Sequence, residues 1–141
     1  MTAALATATA ATFVWLGMVL AISFLEAPLK FRAPGVTTQI GLGIGRLVFR
    51  ALNAAEVILA VAGVIGVVAG GPSTGVLVAG AVAVAALLVQ LAVIRPPLNR
   101  RSDSVLAGED APHSRAHYAY IAIEAIKVVA LLVTGIALLA S

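Results

Sequence analysis

The sequence predicts an all-α, polytopic membrane protein whose four transmembrane helices form a bundle. Its composition is 62% hydrophobic and only 11% charged, whereas charged residues make up roughly a quarter of an ordinary soluble domain. The mean hydropathy is +1.11, and the apolar residues fall into stretches of roughly 20 residues, the length that crosses a hydrocarbon core about 30 Å thick. Helices are expected because lipid offers the backbone no hydrogen-bond partners.

The predicted spans cover about residues 4–25, 47–69, 75–94 and 118–140, within a single domain that comprises residues 1–141. Residues 70–75 are uncharged and rich in glycine, which predicts a tight turn and makes a hairpin of the second and third spans. Residues 95–116 are polar and predict a longer loop. Pro96 and Pro97 open this loop, and we expect them to stop the third helix.

The positive charges indicate how the chain crosses the membrane. The net charge is +3, and nearly all basic side chains lie between the first and second spans or between the third and fourth. Because cytoplasmic loops are enriched in lysine and arginine, both connections are predicted to lie in the cytoplasm. Both termini are then predicted to lie on the outer side of the cell (inner) membrane. The basic residues therefore indicate loops beside a lipid bilayer rather than a nucleic-acid partner. The sequence contains no cysteine, which excludes disulfides and thiol chemistry within the chain.

Polar side chains near and within the spans form a one-sided layer. With the predicted orientation they lie in the cytoplasmic half, whereas the outer halves are almost entirely aliphatic, which argues against an open water pore. Ionisable residues in a span usually face a bundle interior or a wet cavity, so this layer is the candidate ligand-binding site. Its members are Arg46, Arg50, Asn53, Glu56, Gln90, His117, Tyr120, Glu124 and Lys127, with Glu26 and Lys30 as an ion pair where the first span ends.

Two interpretations of this layer stay open at the level of the sequence. In the first, the protein binds or translocates a small polar or amphiphilic solute without a cofactor or catalytic residues, and a homo-oligomer fits the limited room inside one bundle. In the second, the protein is a structural subunit whose charges form ion pairs that spare each charge its desolvation penalty. The expected pairs are Glu26 with Lys30, Glu56 with Arg46 or Arg50, and Glu124 with Lys127.

Asn53 and Glu56 favour the functional interpretation. Long lysine and arginine side chains reach the headgroups from within a span, but these two shorter side chains do not. In a functional site, Glu56 and Glu124 would be the charge-bearing groups, with Arg50 and Lys127 as their partners or as contacts for an anion. A metal site built from His113 and His117, or from His117, Glu124 and a second carboxylate, is a weaker alternative.

Glycines mark two further places where helices are expected to pack closely. Gly41, Gly43 and Gly45 precede the second span without the strand that a dinucleotide-binding fingerprint requires, so they predict a closely packed or flexible start of a helix. Gly66 and Gly70 are four residues apart within the second span, a spacing that permits close helix contact and a dimer interface.

The chain resembles a family of small four-span membrane proteins of unknown function that includes animal transmembrane proteins linked to drug tolerance. The resemblance lies in Trp15-Leu16-Gly17, Phe24, Pro28, Phe31, Leu47-Val48-Phe49, Pro96-Pro97 and His117-Tyr118. It covers most of the chain and implies a four-helix bundle with a role in transport or membrane homeostasis. It implies no catalytic residues.

A second resemblance is confined to the second span. Arg46, Asn53 and Glu56 are similar to the second-helix motif of the membrane-associated eicosanoid and glutathione metabolism enzymes. Those enzymes are four-helix trimers that hold glutathione in a charged layer near one membrane face. The resemblance implies that these residues contact glutathione, and that the chain is a glutathione-dependent membrane enzyme rather than a carrier.

Overall fold

The computed structural model describes residues 1–109 and 115–141, which form four long helices packed as a bundle. We name these helices α1 (Ala3–Arg32), α2 (Thr38–Gly70), α3 (Thr74–Leu106) and α4 (Arg115–Leu139). Within the described residues there is no β-strand. Each helix is long and apolar enough to cross a membrane, so the predicted all-α architecture is confirmed.

Capping side chains fix where three of the helices begin. The hydroxyl groups of Thr2, Thr37 and Ser73 accept hydrogen bonds from the backbone N–H three residues later, at 3.2, 3.1 and 3.3 Å. These bonds satisfy donors that the first turn of a helix otherwise leaves without a partner. Gly71 ends α2 in the left-handed region, with φ at 65°, a conformation that glycine adopts at little cost.

The third helix continues well beyond its predicted end. The expected loop over residues 95–116 is wrong over its first part, because α3 passes through Pro96 and Pro97 and ends at Leu106. A π-helical segment, Gln90–Ile94, directly precedes the prolines. Proline disrupts a helix by lacking an N–H and by crowding the carbonyl four residues earlier. The wider π-helical turn relieves the crowding, and the prolines occupy the first turn of the α-helical part that begins at Arg95, where proline is best tolerated. The same arrangement occurs in α1, where the π-helical segment Leu20–Glu26 precedes Pro28.

The second helix begins at Thr38, earlier than the predicted start at residue 47. Its first turns contain the closely spaced glycines, and the Phe31 ring lies against Gly41 where any larger side chain would stand. The side chain of Gln39 donates a 2.8 Å hydrogen bond to the carbonyl of Leu106. These contacts join α1, α2 and α3 at the end where α1 and α3 finish and α2 and α4 begin, and we call it the charged end.

The core is narrow and the outside of the bundle is apolar. The helix α1 packs mainly against α2, α3 packs mainly against α4, and contacts between α1 and α4 join the two pairs. Val68 is 73% exposed whereas Lys127 is completely buried. This distribution is the reverse of that in a soluble protein and fits a chain solvated by lipid. The core side chains at its centre are Trp15, Leu16, Val19, Ala60, Ala83, Leu87, Ala130 and Leu131.

The Gly66 and Gly70 pair is used within the chain. A Cβ atom on Gly66 would lie 2.7 Å from the carbonyl oxygen of Ala4 and 3.0 Å from the backbone nitrogen of Ala8, and Gly70 packs against Leu5. These glycines let the backbones of α1 and α2 approach closely, as small residues do in membrane bundles. The face that the sequence offered for a dimer is thus occupied by α1.

We predict that Gly66→Ala lowers the stability of the bundle by about 1–3 kcal/mol, since the added methyl group has to push two backbones apart. The matched control is Gly63→Ala in the same helix, where a Cβ meets nothing within 4 Å; it is expected to be neutral or slightly stabilising, because alanine favours helix over glycine. Thermal unfolding of the detergent-purified protein measures both. Equal midpoints for the two variants would contradict the close α1–α2 contact.

Candidate functional site

All of the described helices contribute polar side chains to a cluster inside the bundle. We call this set the buried polar cluster: Trp15 and Ser23 from α1, Glu56 from α2, Gln90 from α3, and Glu124 and Lys127 from α4. Lys127 and Glu56 have no exposed surface, and Gln90 and Glu124 are almost as deeply enclosed. Charged residues are seldom buried this completely unless they are paired, and here they are.

The ammonium group of Lys127 is the centre of the cluster. It forms ion pairs with Glu56 and, at 2.6 Å, with Glu124. It also donates to the side-chain oxygen of Gln90 at 2.8 Å. An ammonium group has three N–H donors, so these partners use its full capacity. One lysine of α4 thus binds side chains of α2, α3 and its own helix.

Further donors complete the shell of the two carboxylates. Glu124 accepts hydrogen bonds from the Ser23 hydroxyl at 2.7 Å and the Gln90 amide at 3.2 Å, and Glu56 accepts one from the Trp15 indole at 2.7 Å. The second oxygen of Glu56 is buried and has no hydrogen-bond partner among residues 1–109 and 115–141. Desolvation of ions is costly unless their remaining donors and acceptors are engaged, which explains why so many polar groups gather here.

The cluster lies near the middle of the bundle. Lys127 is equally far from Arg115 and Leu139, the ends of α4, about 18 Å from each at 1.5 Å per residue. Glu124 and Lys127 share one face of α4 because they are three residues apart. Ser23 and Gln90 belong to the π-helical segments of α1 and α3, so the local change of helix geometry coincides with the cluster.

Between the cluster and the charged end lies a cavity of about 650 Å³, which we call the basic cavity. Residues of α1, α2, α3 and α4 line it, and Ser23, Tyr120 and Glu124 lie at its inner limit, where it meets the cluster. Its walls include the aromatic rings Phe24, Phe31 and Phe49. The basic side chains that line it are Lys30, Arg46, Arg50, Arg95 and Arg101.

The structure divides the sequence-predicted site residues between the cluster and the cavity. Glu56, Gln90, Glu124 and Lys127 meet in the buried polar cluster. Lys30, which lines the cavity, is 3.8 Å from Glu26, as expected from their spacing. The predicted residues that line the cavity are Arg46, Arg50, Asn53, His117, Tyr120 and Glu124.

The expected pairing of Glu56 with Arg46 or Arg50 is wrong. Glu56 pairs with Lys127, whereas Arg46 pairs with Asp103 at 2.5 Å. Arg50 is six residues before Glu56, which separates them by about 9 Å along the helix axis. Asp103 belongs to the part of α3 that was expected to be a loop, so a contact between Asp103 and α2 was not predicted.

Glu56 also bears on the resemblance to glutathione-binding enzymes. Arg46 and Asn53 line the basic cavity, but Glu56 is enclosed by Lys127 and Trp15 and is not among the described residues of the lining. Its carboxylate contacts side chains of α4 and α1 and does not line the cavity. Of the three residues that the resemblance implies as glutathione contacts, two lie where a solute would reach them.

Sequence reasoning missed the contribution of α3 to the cavity. Arg95, Asn99 and Ser102 all line it, but they fall in the stretch that was predicted to be a loop. Their spacing of four and then three residues is the spacing of one helix face, and this signal is present in the sequence. Pro96 and Pro97 were instead expected to stop the helix before this face, which led to the prediction of a loop.

Metal ligation finds no support among the described residues, where no group of three histidine or acidic side chains is placed to hold an ion. His117 lines the basic cavity. His113, the other histidine considered for a metal, lies outside the described residues.

Comparisons with protein-family models, with curated proteins and with solved structures found no match. The fold and its side chains define the class on their own. Four described helices are long and apolar enough to span a membrane, their exposed surface is aliphatic, and their charges are sequestered inside or gathered at one end. The chain is therefore a multi-pass α-helical membrane protein.

We predict that Lys127→Met destabilises the protein by about 3–5 kcal/mol, because it leaves two buried carboxylates without their cation. Chemical denaturation of the purified protein measures the change. The matched control combines Lys127→Met with Glu56→Gln and Glu124→Gln, which removes the charges together and is expected to recover much of the lost stability. If the triple variant is no more stable than Lys127→Met alone, unpaired charge is not the cause.

Proposed function

We propose that this protein binds a small amphiphilic solute in the basic cavity, entering from the charged end. The observation that carries the proposal is a cavity of about 650 Å³ that combines aromatic walls with a concentration of basic side chains. Sites for small molecules commonly measure about 300–1,000 Å³ and combine apolar walls with a few placed polar groups. A purely structural use of the charges explains the buried polar cluster but leaves such a cavity without a purpose.

The walls support an amphiphilic rather than a fully polar solute. Phe24 and Ile121 line the cavity, and 44% and 46% of their surface is accessible. The cavity thus offers accessible apolar surface beside its basic side chains. A solute with a polar head and an apolar tail satisfies both the basic interior and this apolar surface.

Binding is the step that a receptor and a carrier have in common. Translocation requires in addition that the buried polar cluster opens, because the cluster closes the cavity toward the middle of the bundle. Ser23 and Glu124 belong to both the cluster and the cavity lining. A solute in the cavity would therefore contact Ser23 and Glu124, whose hydrogen bonds have to break when the buried polar cluster opens. This supports a carrier in which solute binding is coupled to opening of the cluster.

We propose further that the charged end is cytoplasmic and the termini lie outside, in the inner (cell) membrane. The support is the distribution of basic residues: Arg46, Arg95 and Arg101 lie on this side of the buried polar cluster, and the turn at residues 70–75 and the carboxyl terminus have none. Positively charged connections remain preferentially on the cytoplasmic side. The solute would then be taken from the cytoplasm or from the inner leaflet.

The binding proposal predicts that at least one simple amphiphile protects the protein against thermal unfolding. The probes are octyl phosphate, octanoate, octyltrimethylammonium and octyl glucoside, added to protein purified in a long-chain maltoside. A ligand that binds only the folded state at a hundred times its Kd stabilises it by about 2.7 kcal/mol, which raises the unfolding temperature by several degrees.

A matched pair of variants locates the effect. Asn53→Trp fills the cavity and is expected to abolish protection, whereas Ala54→Trp, at the exposed neighbouring position outside the lining, is expected to retain it. Protection by none of the four probes, or equal protection in both variants, would remove the solute-binding proposal.

The proposed orientation predicts which introduced cysteines a membrane-impermeant reagent labels in intact cells. The natural chain has no cysteine, so single cysteines report without background. Ser141→Cys is expected to react with a membrane-impermeant maleimide in intact cells, whereas Ser102→Cys in the cavity lining reacts only after the membrane is opened. The opposite labelling pattern would show that the chain has the reverse orientation.

A further inference from the structure

The side chain of Arg95 is held in an unusual way within the basic cavity. Its guanidinium group lies 4.8 Å from the centre of the Tyr120 ring and 5.4 Å from the centre of the Phe49 ring. The two rings meet edge to face, 6.1 Å apart and at 88°. Aromatic faces stabilise a guanidinium through its π face, and such contacts leave the N–H groups, which lie in the guanidinium plane, free to bind an acceptor.

Two of the three side-chain nitrogens of Arg95 lack an acceptor within residues 1–109 and 115–141. The Nε and Nη2 atoms of Arg95 are buried and have no hydrogen-bond partner among the residues that the structure describes. These two atoms form one edge of the guanidinium group, the fork that binds a carboxylate or a phosphate through two parallel hydrogen bonds. Buried donors are almost always satisfied, so an empty fork at the wall of a cavity indicates a missing acceptor.

A second buried donor belongs to Tyr120, whose ring the Arg95 guanidinium contacts. The Tyr120 hydroxyl is also buried without a hydrogen-bond partner in the described part of the chain, although its ring touches the Arg95 guanidinium. Tyr120 is only 8% exposed and lines the same cavity. Arg95 and Tyr120 are thus neighbours in the lining, and each has a buried donor that forms no hydrogen bond within the described residues.

The acidic side chain in the lining does not supply the missing acceptor. Glu124 already accepts from Lys127, Ser23 and Gln90. Lys30 and Arg46 differ from Arg95, since Lys30 lies near Glu26 and Arg46 is paired with Asp103. Arg95 instead has buried donors without an acceptor in the described part of the chain, which is the geometry that a ligand would complete.

From this geometry we propose that the solute carries an oxyanion head group, a phosphate or a carboxylate, which binds the Arg95 fork and the Tyr120 hydroxyl. The inference rests on the proposed solute-binding function and adds its chemical class. Rotation of the guanidinium about its terminal side-chain bonds turns the fork into the cavity, where the oxyanion replaces the absent acceptor. The apolar tail then lies along Phe24 and Ile121.

The test compares head groups on the full-length wild-type protein. Dissociation constants are derived from the thermal shifts with octyl phosphate, octanoate, octyltrimethylammonium and octyl glucoside, and inorganic phosphate is added as a probe without a tail. We expect the two anionic amphiphiles to bind at least about tenfold more tightly than the cationic and neutral ones. Inorganic phosphate is expected to bind weakly, and if it binds as tightly as octyl phosphate, the solute is a free phosphate compound and the amphiphilic assignment is overturned.

Variants of Arg95 then locate the oxyanion. Arg95→Lys keeps the charge but lacks the fork, and Arg95→Gln lacks both, so each is expected to weaken octyl phosphate binding about tenfold to a hundredfold. Binding of octyl glucoside is expected to stay within about twofold of wild type, which a general loss of structure would not allow. The matched control is Arg100→Gln, which removes an exposed arginine of the same helix outside the lining and is expected to leave octyl phosphate binding within about twofold of wild type.

The outcomes distinguish a failure of the oxyanion proposal from a failure of the proposed solute-binding function. If octyl glucoside or octyltrimethylammonium binds as tightly as the anionic probes, the assignment of an oxyanion head group is wrong, whereas the solute-binding proposal stands. If anionic probes are preferred but Arg95→Lys binds them as wild type does, the fork is wrong. If no probe binds, the proposed function itself fails. Should the Arg95 variants not fold, the wild-type head-group comparison and Tyr120→Phe, expected to weaken octyl phosphate binding severalfold, still decide.

Discussion

The bundle depends on one buried ammonium group. Lys127 binds acceptors on α2, α3 and α4, and the carboxylates that it holds in turn accept from Trp15 and Ser23 of α1. In lipid there is little hydrophobic drive for helices to associate, so packing and interhelical hydrogen bonds have to provide it. A charge that cannot be left unpaired near the middle of the spans therefore fixes the rotation and the register of every helix around it.

This constraint also explains why the polar groups separate into two regions. The buried polar cluster directs its donors and acceptors at one another, so it is closed to a ligand. The basic cavity lies between the cluster and the charged end, where Arg95 has donors without an acceptor in the described part of the chain and the wall is partly aromatic. Glu124 belongs to both regions, and its carboxylate links the lining of the cavity to the ion pairs that hold the helices together.

The sequence predicts the number and approximate position of the spans because hydropathy is a summed property that tolerates local error. It also places Glu56, Gln90, Glu124 and Lys127 in one polar layer, together with residues that line the cavity instead, because polar side chains in apolar helices are expected to avoid lipid. It does not predict that Glu56 meets Lys127 rather than Arg50, because partners on different helices depend on the rotation of each helix about its axis. Arg95 was overlooked for a local reason: adjacent prolines indicate the end of a helix, and here they do not end one.

The reason that the prolines are tolerated is also the reason that the site exists. Each π-helical segment precedes a proline, Pro28 in α1 and Pro96 in α3, and each contributes a member of the buried polar cluster, Ser23 or Gln90. A π-helical turn adds a residue to the helix, which shifts every later side chain around the axis relative to a regular α-helix. Residues before the segment can therefore pack in the core with α-helical spacing, while Lys30 and Arg95, which follow it, line the cavity. The same local distortion brings polar groups to the centre of the bundle and basic ones to the lining of the cavity.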